Sequence, residues 1–170
     1  MVDGAKPIAS ATISSSRVVA HGLSFSVACG GGIPAPANYD KSSRQEIARE
    51  TKKFRAVLRG YAAASPEERY RRHLSLKAGF ALQSLGSIGH VSPEVLPEVL
   101  GWVTDPFLCS SAIIGLWLMG YNARSAIPIL ESLAVSSAVF VTPHCSSAAS
   151  LDLPRLKAKV ASDLESKKTP

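Results

Sequence analysis

Apolar positions recur along much of the chain at the three- and four-residue spacing of a helix. Nowhere do they alternate with polar ones for long enough, between turn signals, to mark a strand. Ile47, Phe54, Val57, Leu58 and Tyr61 form a first rough face. It starts just after Ser43-Arg44-Gln45-Glu46, a capping box in which the serine accepts from first-turn amides and Glu46 reaches back. This predicts a helix from Ser43 to about Tyr61–Ala64. Ser65-Pro66-Glu67-Glu68 is a second start, with an N-cap serine, proline in the first turn and two acids on the positive end of the dipole. From there Tyr70, Leu74, Ala78, Ala81, Leu82 and Leu85 read as one stripe, with Gly86 and Gly89 as its stop. Ser92-Pro93-Glu94 opens a short helix over Val95, Leu96, Val99, Trp102 and Val103, and Asp105-Pro106 opens another that runs to Gly120. A further short helix covers Ala126 to Ala134, and Leu153, Leu156, Val160 and Leu164 mark a C-terminal amphipathic one. Between these two, Val139-Phe140-Val141 is strand-like, but Pro143 and its small neighbours read as a loop over 136–150. The fold class is all-α.

The chain also repeats itself. A shift of thirty-one places Ile88-Gly89 over Met119-Gly120 and Leu96-Pro97 over Ile127-Pro128. It pairs Ala81 with Ala112, Leu82 with Ile113, Leu85 with Leu116, Val99 with Leu130 and Trp102 with Leu133. Each unit reads as a longer helix, a glycine-stopped turn and a shorter helix with proline in its first turns, the logic of stacked helix pairs. Asp105-Pro106, Ala112-Ile113-Ile114, Leu118-Met119-Gly120 and Ala126-Ile127-Pro128-Ile129-Leu130 resemble the short HEAT repeat of the phycobilisome-lyase type, over roughly residues 72–134. The chain departs from that pattern early in the first helix, where Leu108-Cys109-Ser110 replaces the usual arginine. The resemblance implies a short HEAT-like α-solenoid at 41–135, preceded by an extended low-complexity arm at 1–40 and followed by the loop and a C-terminal helix and tail at 151–170.

Composition sharpens this. The 170 residues are 46% hydrophobic but only 6% aromatic, so small and aliphatic side chains must fill the core. The net charge of +6 is unevenly placed: residues 41–75 hold ten bases against four acids, whereas 76–150 hold two bases against four. The first forty residues are rich in Ser, Ala, Gly and Pro and carry Gly30-Gly31-Gly32. Alone they cannot bury enough surface to fold, so they read as an arm that lies on another protein. The alternatives are a retained targeting segment or packing on the chain's own domain. Residues 106–123 are free of formal charge, which reaches the lower limit of a membrane span, yet they fit the repeat register and read as a buried helix.

Candidate chemistry is sparse. Cys29, Cys109 and Cys145 form no CxxC pair and no even framework, which argues against a disulfide scaffold or a zinc module. Cys109 reads as a small core residue. Cys145 beside His144 lacks the frame a nucleophile needs and reads as structural or incidental. None of His21, His73, His90 and His144 is followed by Glu, so no His-Glu metal pair exists. No catalytic, cofactor or metal residues are assigned. The one candidate binding patch is basic: Lys52, Lys53, Arg55, Arg59, Arg69, Arg71 and Arg72. It suits an acidic protein surface, or RNA less well, and otherwise serves as a solvated face. The expected function is a non-enzymatic scaffold subunit of a large assembly. The expected host is cytoskeletal, an axonemal microtubule structure with acidic tubulin opposite the basic helices. The alternatives are an accessory subunit of a mitochondrial or plastid complex, or a ribonucleoprotein component.

Overall fold

The structure, a computed structural model, describes residues 39–136 and 142–167, without the side chain of Arg71. The arm expected over 1–40 lies outside the described residues up to position 38, as do Val139-Phe140-Val141 and the last three residues of the tail.

The described residues are helical, with no strand among them. Helix α1 spans Arg44–Ala63, and both halves of the Ser43–Glu46 capping box form. Helix α2 spans Pro66–Arg71 behind a second complete box, Ser65 with Glu68. The chain then breaks. His73 adopts a left-handed backbone (φ 49°) before α3 begins at Leu74 and runs to Val91. The single stripe expected from Tyr70 through Leu85 is therefore two pieces: Tyr70 is 85% exposed, while Leu74 packs on the core.

Nor do Gly86 and Gly89 stop the helix, since α3 passes through both. A Cβ on Gly86 would run into the backbone of Gly115, and one on Gly89 into the side chain of Met119. Reciprocally, a Cβ on Gly115 would come within 2.8 Å of the Leu82 carbonyl. These glycines let α3 and α5 (Cys109–Met119) meet backbone to backbone. Each gives up roughly 0.5–1 kcal/mol of helix propensity, and the dense contact it permits offsets that loss. The true glycine stop is Gly120, whose φ of 59° ends α5.

Between α3 and α5 lie a 3-10 turn, Pro93–Val95, and the short helix α4, Leu96–Leu100. Asp105-Pro106 does not open α5 directly. The Asp105 carboxylate accepts from the backbone N–H groups of Phe107 and Leu108, forming a turn that delivers the chain to Cys109. After α5 come a 3-10 segment, Gly120–Ala126, and α6, Ile127–Ala134. Helix α7 spans Pro143–Ser166, so it begins inside the expected 136–150 loop. Thr142 is its N-cap and Pro143 its first residue, a position where the missing N–H costs nothing.

Helix α1 packs on α3, α3 on α5, and α5 on α7, while α4 lies against α3 and α5 and α6 against α7. The thirty-one-residue register reappears in the elements themselves: α4 begins at Leu96 and α6 at Ile127, each with proline in its first turn. It also reappears in burial. Leu82 and Ile113, Leu85 and Leu116, Ile88 and Met119, and Val99 and Leu130 are all fully buried pairs.

Cys109 and Cys145 form a disulfide with Cα atoms 5.6 Å apart, which corrects the expectation of unpaired cysteines. Cys109 is the first residue of α5 and Cys145 the third of α7. Both are buried, and the bond ties the starts of two helices separated by thirty-six residues of sequence.

Candidate partner-binding cleft

Four cations line one side of α1. Arg44, Lys52, Arg55 and Arg59 border a cleft of about 680 Å³ between that helix and the end of α3, where Val91, Ser92 and Glu94 form the opposite wall. Ile47 and Ala48 contribute apolar surface to the same cleft. The positions recur because every third or fourth residue of a helix shares a face. From Arg44 to Arg59 the stripe extends about 22 Å at 1.5 Å per residue.

The cations differ in what already holds them. Arg55 donates from Nε to Glu98 at 2.7 Å, pinning α1 to α4. Arg44, Lys52 and Arg59 form no ion pair among the described residues. Glu94 is the acid at the rim. Its carboxyl is held below the usual range first by the Ser92 hydroxyl, then by its own backbone N–H, with a smaller contribution from Arg55.

The structure separates the remaining residues of the basic patch. Lys53 pairs with Glu50 at 3.3 Å and sits 5.5 Å from the Phe54 ring centre. Arg69 turns inward: its guanidinium donates to the carbonyls of Tyr61, Ala62 and Ala64 at 3.0–3.1 Å and stacks on the Tyr61 ring at 4.4 Å. It thereby caps the C-terminus of α1, where a cation also suits the helix dipole. Arg72 is exposed at the α2–α3 joint, and the Arg71 side chain lies outside the described residues. Sequence proximity thus joined Arg69 to Arg72, whereas the fold joins Lys52, Arg55 and Arg59 to Arg44. Arg44 was missed, although the spacing 44–48–52–55–59 carries the signal.

A second, uncharged groove of about 450 Å³ lies between the turn after α4 and helix α6, lined by Val103, Thr104, Pro128, Ile129 and Leu133. Elsewhere polar side chains serve the fold. Tyr61 donates to Asp105, and burial pushes its phenol pKa up, assisted by the Asp105 charge. Asn122 donates to the carbonyls of Gly89 and His90, closing the end of α3. Asp163 of α7 accepts from Lys159 and from the Tyr121 backbone N–H. His144 shares a hydrogen bond with Ser110 at 3.0 Å, while the neighbouring Cys145 is held in the disulfide. Among the described residues no three His, Cys, Asp or Glu side chains are grouped to hold a metal.

No family model, no curated protein and no solved structure matches the chain. Among the described residues no helix is long and apolar enough to cross a membrane. Within the charge-free stretch 106–123, α5 has 11 residues, about 16 Å of helix against a hydrocarbon core of about 30 Å.

Proposed function

We propose that this protein is a non-enzymatic scaffold subunit, a short HEAT-like stack of helix pairs that helps hold a large assembly together. The observation that carries this reading is the repeated unit α3–α4 and α5–α6. It keeps the same element order, the same proline position and buried apolar residues at equivalent positions at a shift of thirty-one. Such units bury one face on each neighbour and leave the others to partners. Two such units flanked by α1 and α7 leave both the basic cleft and the uncharged groove open for contacts.

A cytoskeletal host with acidic surfaces fits the basic face of α1. The disulfide favours a second location. Disulfides persist in oxidising compartments and are rare in the cytosol, so the bond favours the alternative of a non-cytosolic host over the cytoskeletal one. The test is to crosslink the tagged full-length chain in cells, purify it in mild detergent and identify its neighbours by mass spectrometry. The reading expects a stable set of co-purifying subunits, with crosslinks from Lys52 and other α1 residues. A chain recovered alone, at the size of a monomer, would refute it.

A further inference from the structure

We propose that the cleft beside α1 binds an acidic peptide segment of a partner protein, its carboxylates pairing with Arg44, Lys52 and Arg59. This rests on the scaffold reading and names the chemistry of the partner. Three observations converge on it. First, these three cations lie on one helical face, open to solvent and without ion pairs among the described residues. Arranged along about 22 Å, they match roughly seven residues of extended peptide at about 3.3 Å each. Second, Arg55 shows on the same stripe how this face engages a carboxylate, with Nε 2.7 Å from Glu98. Arginine pairs with carboxylates through parallel bonds of its planar fork, which gives register as well as attraction.

Third, the interior of the cleft favours peptide over nucleic acid. Ile47, Ala48 and the half-exposed Val91 supply apolar surface for side chains between the acids. Among the described residues no aromatic ring lines it, so they offer no stacking platform of the kind on which single-stranded bases depend. Glu94 at the rim also repels a continuous phosphate backbone, whereas a peptide can place a neutral or basic residue opposite it. A volume of about 680 Å³ falls in the range of sites that enclose a few side chains.

The test uses the full chain and fluorescence anisotropy with three labelled probes. They are a peptide of Glu and Asp with interspersed leucines, its Gln/Asn counterpart, and a uridine-rich RNA of matched charge. Two triple variants of equal net charge are compared. Arg44→Gln/Lys52→Gln/Arg59→Gln empties the cleft of free cations, and Arg72→Gln/Lys77→Gln/Arg155→Gln removes as many from elsewhere. Circular dichroism should show both folded, since all six side chains are exposed. The expected result is binding of the acidic peptide alone, weakened at least tenfold by the cleft variant and less than twofold by the other. Equal losses in both variants would reduce the effect to net charge and overturn the proposal. So would absence of peptide binding, or tighter binding of the RNA with a steep salt dependence. If the cleft variant still co-purifies the whole assembly in cells, the peptide assignment fails while the scaffold reading stands. Peptide binding with no assembly recovered fails the scaffold reading alone.

Discussion

Breaking the Cys109–Cys145 bond is the sharpest perturbation the fold offers. The bond closes a loop of thirty-six residues that contains α5, the following 3-10 segment, α6 and the first turn of α7. In the unfolded chain the cross-link removes the entropy of that loop. For this length the chain-entropy relation gives about 13 cal/mol/K, or about 4 kcal/mol at 25 °C. That is a large share of the roughly 5–15 kcal/mol by which a domain is stable. The assay is urea unfolding followed by helical circular dichroism, on oxidised protein and on protein held in dithiothreitol. Intact mass confirms each state by the difference of two hydrogens. Reduction should lower the unfolding free energy by about 3–4 kcal/mol and raise the urea dependence, because the freed chain expands further. Cys109→Ala/Cys145→Ala should lose about 1 kcal/mol more, since both sulfurs are buried and leave small voids, and should not respond to dithiothreitol. Superimposable curves for verified oxidised and reduced protein would refute the reasoning. They would mean that packing of α5 on α7 holds the two helix starts together without help, or that the unfolded chain is already compact there.

Glycines give a contrast in sign. Gly86→Ala places a Cβ in the Gly115 backbone and should destabilise by about 1–3 kcal/mol in urea unfolding. Gly60→Ala, where nothing lies within 4 Å of the added atom, should stabilise by about 0.5–1 kcal/mol in the same assay. Arg69→Gln should cost about 1–2 kcal/mol by fraying the end of α1, with Arg72→Gln unchanged, and equal melting temperatures for the two would remove Arg69 from its capping role. For Asp163, burial pushes the carboxyl pKa up, but Lys159 and the Tyr121 N–H outweigh it and hold the pKa below its ordinary value. Its folded-state stabilisation is therefore present above the unfolded pKa of about 4 and is lost as pH falls through the depressed folded value. Melting temperature should fall steeply below about pH 4 in the natural chain and less steeply in Asp163→Asn, and parallel profiles would contradict this.

The elements that sequence pattern located well are those whose signal is local. Ser43 and Ser65 form their capping boxes because all the required groups lie within four residues. The repeat register was legible because proline at positions 97 and 128 marks equivalent helix starts. The rest failed for identifiable reasons. No glycine or proline marks the break at His73, so the apolar spacing ran through it and wrongly included Tyr70. Thr142-Pro143 carries the same start signal as Ser65-Pro66, but the residues that follow bury Cys145, Ala148 and Ala149 instead of a large apolar stripe. The helix therefore resembled a loop. Gly86 reads as a stop in the sequence because a glycine has two uses in a helix, as a stop and as a place of close approach. Only the identity of its neighbour, Gly115, decides between them. The disulfide depends on the same kind of long-range knowledge.

The same distinction governs the candidate site. Seven of the ten bases in residues 41–75 read as one patch in the sequence, yet the fold gives the described ones different duties. Arg69 closes a helix end, Arg55 bridges to Glu98, and Lys53 rests on Glu50. Arg44, Lys52 and Arg59 are left on a shared face without such partners among the described residues. On a helix, like charges three or four residues apart repel by a few tenths of a kcal/mol, and Lys52, Arg55 and Arg59 have that spacing. Glu98 relieves the middle of the row, while the outer members face open solvent. An anionic segment laid along the cleft would relieve the remainder and link its own binding to the stability of α1. Salt would weaken both effects together, because exposed charges are screened over about 8 Å at physiological ionic strength. A partner held this way would recognise the spacing of the cations more than their number.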